Sequence, residues 1–111
     1  MPIQTVDPAT LKDWLDRGEA ILIDVREPEE HQKENIPGAI SLPLAKISYR
    51  TLPELESKRL VVHCALGKRG AQACEKLLDE NPELDIYNLD GGITAWLQHG
   101  NKVNRNESEY S

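Results

Sequence analysis

Cys64 stands four and five residues before two cations, Lys68 and Arg69, which could together stabilise and use a thiolate. They lie within Val61-Val62-His63-Cys64-Ala65-Leu66-Gly67-Lys68-Arg69-Gly70. Leu60 to His63 reads as a short buried strand, and a helical pattern runs from about Gly70 to about Glu80. The cysteine therefore falls at the carboxyl end of a strand, in a loop that closes on a helix N-terminus. Such a place gathers unpaired backbone N–H groups and the positive end of a helix dipole. Two cations stand next to it. These surroundings favour a thiolate over a thiol, so Cys64 reads as a nucleophile and the loop as its cradle.

Two familiar thiolate chemistries fit poorly. A Cys–His hydrolase needs an imidazole in reach, but His63 is adjacent on a strand and points to the opposite face. Nothing in the spacing brings His31 or His99 near. A nucleophile elbow needs glycine two residues to either side, and Val62 and Leu66 hold those places. A thiolate phosphatase or arsenate reductase wraps its oxyanion in backbone N–H groups between a cysteine and an arginine. Here four residues separate Cys64 from Arg69, one fewer than in the usual phosphate-binding ring. The tighter ring suits a single sulfur atom better than a tetrahedral phosphate.

The flanking sequence supplies the elements that must position this loop. Ile3 to Val6 is a short strand. Asp7 then provides an N-cap, with Pro8 at the first helical position. Leu11, Trp14 and Leu15 form one apolar stripe, and Gly18 ends that helix. Ala20 to Val25 is an almost continuous apolar run, as in a strand buried on both faces of a parallel sheet. A short charged helix follows as far as Glu34, and Ile36-Pro37-Gly38 breaks it. Ala39 to Leu42 is a third strand. Leu44 to Leu55 is a connector interrupted by Pro53. Asn81-Pro82 stops the helix behind the cysteine loop, Ile86 to Leu89 is a fifth strand, and a last helix starts near Ile93.

Strands alternating with helices predict an α/β fold, with a mainly parallel sheet of about five strands and helices on both faces. Ligands of such sheets sit beyond the carboxyl ends of the strands. Cys64 and the Asp24-Val25-Arg26 segment both lie at that edge. Asp24 and Arg26 are expected to pair with groups of the loop and hold its shape. Trp14 and Trp96 are read as core. Residues 1–100 form the domain, and the polar stretch 101–111 is read as a frayed tail.

The 111 residues suit a single domain with its own core. The net charge of −6 argues against a nucleic-acid binder. No run approaches membrane-span length. The first residues lack a basic head and an apolar core, so the expected location is the cytoplasm. The two cysteines form no C-x-x-C pair, and the three histidines show no ligand spacing, so no metal is expected. Cys74 shares a helical face with Ala71, Leu77 and Leu78 and reads as a small buried hydrophobe.

Four separated motifs add a resemblance. They are Leu22-Ile23-Asp24-Val25-Arg26-Glu27-Pro28-Glu29-Glu30, Asn35-Ile36-Pro37-Gly38-Ala39-Ile40-Ser41-Leu42-Pro43, the loop Cys64 to Gly70, and Leu89-Asp90-Gly91-Gly92-Ile93-Thr94-Ala95-Trp96. In this order and spacing the chain resembles single-domain rhodaneses, which are sulfurtransferases, over residues 3 to about 100. The resemblance implies transfer of sulfane sulfur from a small anionic donor such as thiosulfate, through a Cys64 persulfide, to a thiol or cyanide. A protein sulfur acceptor, as in a relay or regulatory module, is the alternative. No cofactor is implied. Backbone N–H groups of Ala65, Leu66, Gly67, Lys68, Arg69 and Gly70 would ring the persulfide, and the fork of Arg69 would grip an anionic donor. Two places depart from the pattern. Glu34-Asn35 stands where glycine-histidine is usual, and Gly70 stands where a small hydroxyl residue often caps the helix.

Overall fold

Alternating burial along two strands decides how the chain is layered. In β2 (Ala20–Asp24) and β5 (Arg59–His63), successive side chains leave opposite faces. Ile23, Leu60 and Val62, continued by Val25 and Cys64, pack with Ala73, Cys74 and Leu77 of α3 (Lys68–Glu80). Ala20, Leu22 and Val61 face the other way, toward Leu11 of α1 (Pro8–Asp16) and Ile93 and Trp96 of α4 (Gly92–Gln98). The helices thus cover both faces, as predicted.

The computed structural model describes residues 3–106. Its central sheet is parallel throughout, in the order β1-β6-β5-β2-β4, where β1 is Gln4–Val6, β4 is Ile40–Ser41 and β6 is Ile86–Leu89. Strand β5 is central. Asp24 pairs in register with His63 on one side and Ser41 on the other, so the end of β2 stands beside the end of β5. Asp7 caps α1, accepting from Thr10 N–H at 3.1 Å, with Pro8 leading the first turn. No helix among the described residues is long and apolar enough to cross a membrane.

Three expectations need correction. The third strand is only Ile40–Ser41, at the sheet edge. Helix α3 begins at Lys68 rather than near Gly70, because Gly67 turns the chain into it with φ +118°. Most of the predicted tail is seated: Asn104–Arg105 forms β7, antiparallel to β3 (Glu34–Asn35). Trp96 Nε1 donates to Lys102 O at 2.9 Å, and Asn106 N donates to Lys33 O at 2.9 Å. A buried indole N–H needs an acceptor, and the tail supplies it. Residues 107–111 of the predicted tail lie outside the described residues.

Candidate active site

Cys64 follows directly on β5 and is 1% exposed. The backbone N–H of Gly67 donates to its Sγ at 2.9 Å. Gly67 is the N-cap of α3, and Ala71 N closes the first helical bond to Gly67 O at 3.0 Å. That leaves the N–H groups of Lys68, Arg69 and Gly70 without helical acceptors. The sulfur therefore sits at the positive end of a thirteen-residue helix. A left-handed φ at Gly67 is what makes the tight entry possible. Leu66, at the loop tip, is 70% exposed, and Lys68 is exposed as well.

Three further contacts fix the loop. Ile93 N donates to Cys64 O at 2.9 Å and Thr94 N to Ala65 O at 3.2 Å, so the start of α4 holds the first two loop carbonyls. Asn88 Nδ2, from β6, donates to Gly67 O at 2.9 Å. Gly70 lies in the first turn of α3, not at its cap. The missing hydroxyl at position 70 therefore matters for space rather than for capping, because Asn88 fills the volume that a side chain there would need.

Asp24 and Arg26 do not hold the loop in the way expected. They hold each other. Arg26 donates to the Asp24 carboxylate from its backbone N (3.0 Å), from Nε (3.0 and 3.2 Å) and from Nη2 (2.8 Å), and Nη2 also reaches Glu34 O at 2.6 Å. Both side chains are buried. Two of the three histidines that looked scattered in sequence converge on the same carboxylate. His31 Nδ1 is 2.8 Å from Asp24 Oδ2, and His63 Nε2 is 3.8 Å from it. His63 Nδ1 lies 3.2 Å from Cys64 O, which makes Nδ1 the donor. Burial by itself would raise the Asp24 carboxyl. The bonds from Arg26, the charge of His63 and the bond from His31 together outweigh it and hold Asp24 below the usual carboxylate range. Burial pushes His63 down despite Asp24. Asp24 thus joins the ends of two strands to α2 (Pro28–Lys33).

Arg69 is gripped from α2 as well. Its Nη1 and Nη2 donate to Glu30 Oε1 and Oε2 at 2.7 and 3.1 Å. This bidentate pair spans 39 residues of sequence. Glu30 also accepts from Glu27 N at 3.0 Å, completing a capping box on α2. The bond from Arg69 lowers the Glu30 carboxyl, and Glu30 in turn raises Arg69. The fork expected to be open to a donor anion is already engaged.

Glu30 and Asn88 are the participants that the sequence reading missed. The three-residue spacing of Glu27 and Glu30 after Arg26 signalled a capping box, though not its distant partner. Asn88 stood out as an amide inside the apolar strand Ile86-Tyr87-Asn88-Leu89. Cys74 is buried in the core, and burial pushes its thiol up to about 12, away from the thiolate form. Among the described residues, no group of three or more His, Cys, Asp or Glu side chains is placed to hold a metal.

Comparison with known proteins agrees with this arrangement. The family model of the rhodanese-like domain matches residues 7–99. A protein named sulfurtransferase from Allochromatium vinosum is 33% identical over 88% of this chain and 92% of its own length. The Homo sapiens thiosulfate:glutathione sulfurtransferase is 35% identical over 85% of this chain and 93% of its own. An uncharacterized Synechocystis protein is 38% identical, and there the match spans 53% of the longer chain. The crystal structure of a rhodanese-related protein from Thermoplasma volcanium superposes with a TM-score of 0.76 at 28% identity, covering 91% of this chain and 97% of the other. With one family matched across nearly every element that builds the cysteine cradle, the chain belongs to the rhodanese-like domains.

Proposed function

We propose that this chain is a sulfurtransferase that carries sulfane sulfur on Cys64. The observation that carries the reading is the Gly67 N–H donated to Cys64 Sγ at 2.9 Å, at the head of α3. An anion formed on that sulfur meets N–H groups already in place, at no cost in reorganisation.

In the first step the Cys64 thiolate attacks the outer sulfur of a donor such as thiosulfate. The donor's S–S bond breaks, sulfite leaves with the bonding pair, and a Cys64 persulfide anion remains. In the second step a thiolate or cyanide attacks the outer sulfur of the persulfide, and the Cys64 thiolate leaves. This is covalent catalysis with ping-pong kinetics. The backbone of Ala65 to Gly70 rings the terminal sulfur, while Asp24 and Arg26 brace the neighbouring strand ends from behind. The human relative's name pairs thiosulfate with a thiol acceptor, and the same pairing is proposed here. The proposed setting is the cytoplasm, where thiol acceptors are kept reduced.

A protein acceptor is the second reading. Leu66, 70% exposed beside the reacting sulfur, favours it. An apolar contact there suits a macromolecule better than a small anion.

The test is intact-protein mass after incubation with thiosulfate. The wild-type chain gains one sulfur atom, and Cys64→Ser gains none while melting cooperatively. A small thiol then discharges the adduct. An adduct that only a protein partner discharges selects the second reading. Persistence of the adduct in Cys64→Ser overturns both.

A further inference from the structure

The Arg69 guanidinium, carried on the first turn of α3 and within electrostatic reach of Cys64, does not face an incoming donor alone. Both of its terminal nitrogens are held by Glu30, at 2.7 and 3.1 Å. Glu30 is fixed in turn by its capping-box bond from Glu27 N and by its place in the first turn of α2 beside Glu29. The pair is about one-third exposed on each side, so it adjoins solvent rather than core. An anion approaching Cys64 from this side must share Arg69 with a carboxylate or displace it. Either way, the Glu30 carboxylate opposes a dianion about twice as strongly as a monoanion.

We propose that Glu30 is a positioning residue that sets donor selectivity, restraining Arg69 so that a monoanionic sulfane donor is accepted in preference to a dianionic one. The proposal rests on the sulfurtransferase reading of Cys64 and deepens it. Two donors isolate the charge. Thiosulfate is a dianion and releases sulfite. Methanethiosulfonate is a monoanion and releases methanesulfinate. In each case the Cys64 thiolate attacks the terminal sulfur, the donor's S–S bond breaks, and the sulfur oxyanion leaves with the electron pair. The enzyme product is the same persulfide, so any difference between donors arises before or during the first transfer.

The experiment measures kcat and KM for both donors, with cyanide as acceptor, in the wild-type chain, Glu30→Gln, Arg69→Ala and the double variant. Glutamine keeps an acceptor for Glu27 N–H and removes the charge, so α2 stays capped. Glu30→Gln is expected to lower KM for thiosulfate about two- to fivefold, as befits a partly exposed pair. The KM for methanethiosulfonate and both kcat values move less. In the Arg69→Ala background the same change has no effect on the thiosulfate KM, because Glu30 acts through Arg69. A purely structural Glu30 would instead raise both KM values together, or lower kcat for both donors, and either result overturns the proposal. If the wild-type chain forms the persulfide and the donor ratio stays fixed in Glu30→Gln, only the Glu30 inference fails. If the wild-type chain forms no persulfide with either donor, the sulfurtransferase reading fails and takes this inference with it.

Discussion

Asn88 and Gly70 occupy one volume. A β-carbon built on Gly70 overlaps Asn88 Oδ1 and lies 3.0 Å from its Cγ. The same side chain donates Nδ2 to Gly67 O at 2.9 Å, while its buried Oδ1 has no hydrogen-bond partner among the described residues. An amide from β6 thus reaches under the first turn of α3 and holds the cap of the helix that faces Cys64. It does so because position 70 carries no side chain.

Gly70→Ala tests this relationship through its sign. In a helix with free space around it, alanine would stabilise by up to about 1 kcal/mol over glycine. Here the overlap with Asn88 is expected to reverse the sign and destabilise by about 1–3 kcal/mol. Asn88→Ala, which removes one buried hydrogen bond, is expected to cost about 1 kcal/mol. The double variant should lose less than the sum, since Asn88→Ala removes the side chain that the Gly70→Ala methyl would overlap. Urea denaturation of all four chains measures the coupling. Additive losses would show that the two positions do not compete for space.

The pH dependence of stability follows from depressed groups, three of which lie around the site. Burial lowers His63, the bond from Arg69 lowers Glu30, and Asp24 is held low by Arg26 and its neighbours against burial. For a depressed group, both states are deprotonated above its unfolded value, and its contribution is complete. As the pH falls past that value, the unfolded chain binds the proton first and stability drops until the folded value is passed. Unfolded histidine titrates at about 6.5 and carboxylates at about 4. Stability is therefore expected to decline in two stages on acidification, the first from His63 and the second from carboxylates, Asp24 and Glu30 among them. His63→Gln should flatten the first stage and leave the second. Denaturation midpoints between neutral and acid pH check this, and a first stage that persists in His63→Gln would count against the assignment.

The seated part of the tail is expected to contribute to stability. Ending the chain at Asn101 removes Lys102 O from the buried Trp96 N–H and deletes the β7 partner of β3. An orphaned buried donor costs about 1–3 kcal/mol. Glu34, whose carbonyl receives Arg26, would also lose its strand partner Arg105. A chain ending at Asn106 is the control. It should unfold at a higher denaturant concentration than the chain ending at Asn101, and equal midpoints would show that the segment is passive.

Local features of the site could be read from the amino-acid order. Val61 to Gly70 declared a strand, a thiol and a helix start within a few residues, because strand burial and helix onset depend on near neighbours. The opposite facing of His63 and Cys64 followed from strand geometry. The Asp7-Pro8 cap and the burial of Cys74 were legible for similar reasons. The helix onset was misjudged by two residues because no hydroxyl or carboxylate side chain marks the cap. Gly67 achieves it by backbone angle alone, and that angle leaves no pattern in the neighbouring residues.

The order of residues was enough to place a cysteine at a strand end, its loop and the family of that loop. What stands around it comes from the packing of the fold: Glu30 on Arg69, Asn88 beneath Gly70, and His31 and His63 on Asp24. Each of these contacts joins residues whose meeting depends on β5 lying between β2 and β6 and on α2 folding back beside the loop. Packing of apolar faces places those elements, and the polar side chains pair with whatever that packing brings within reach.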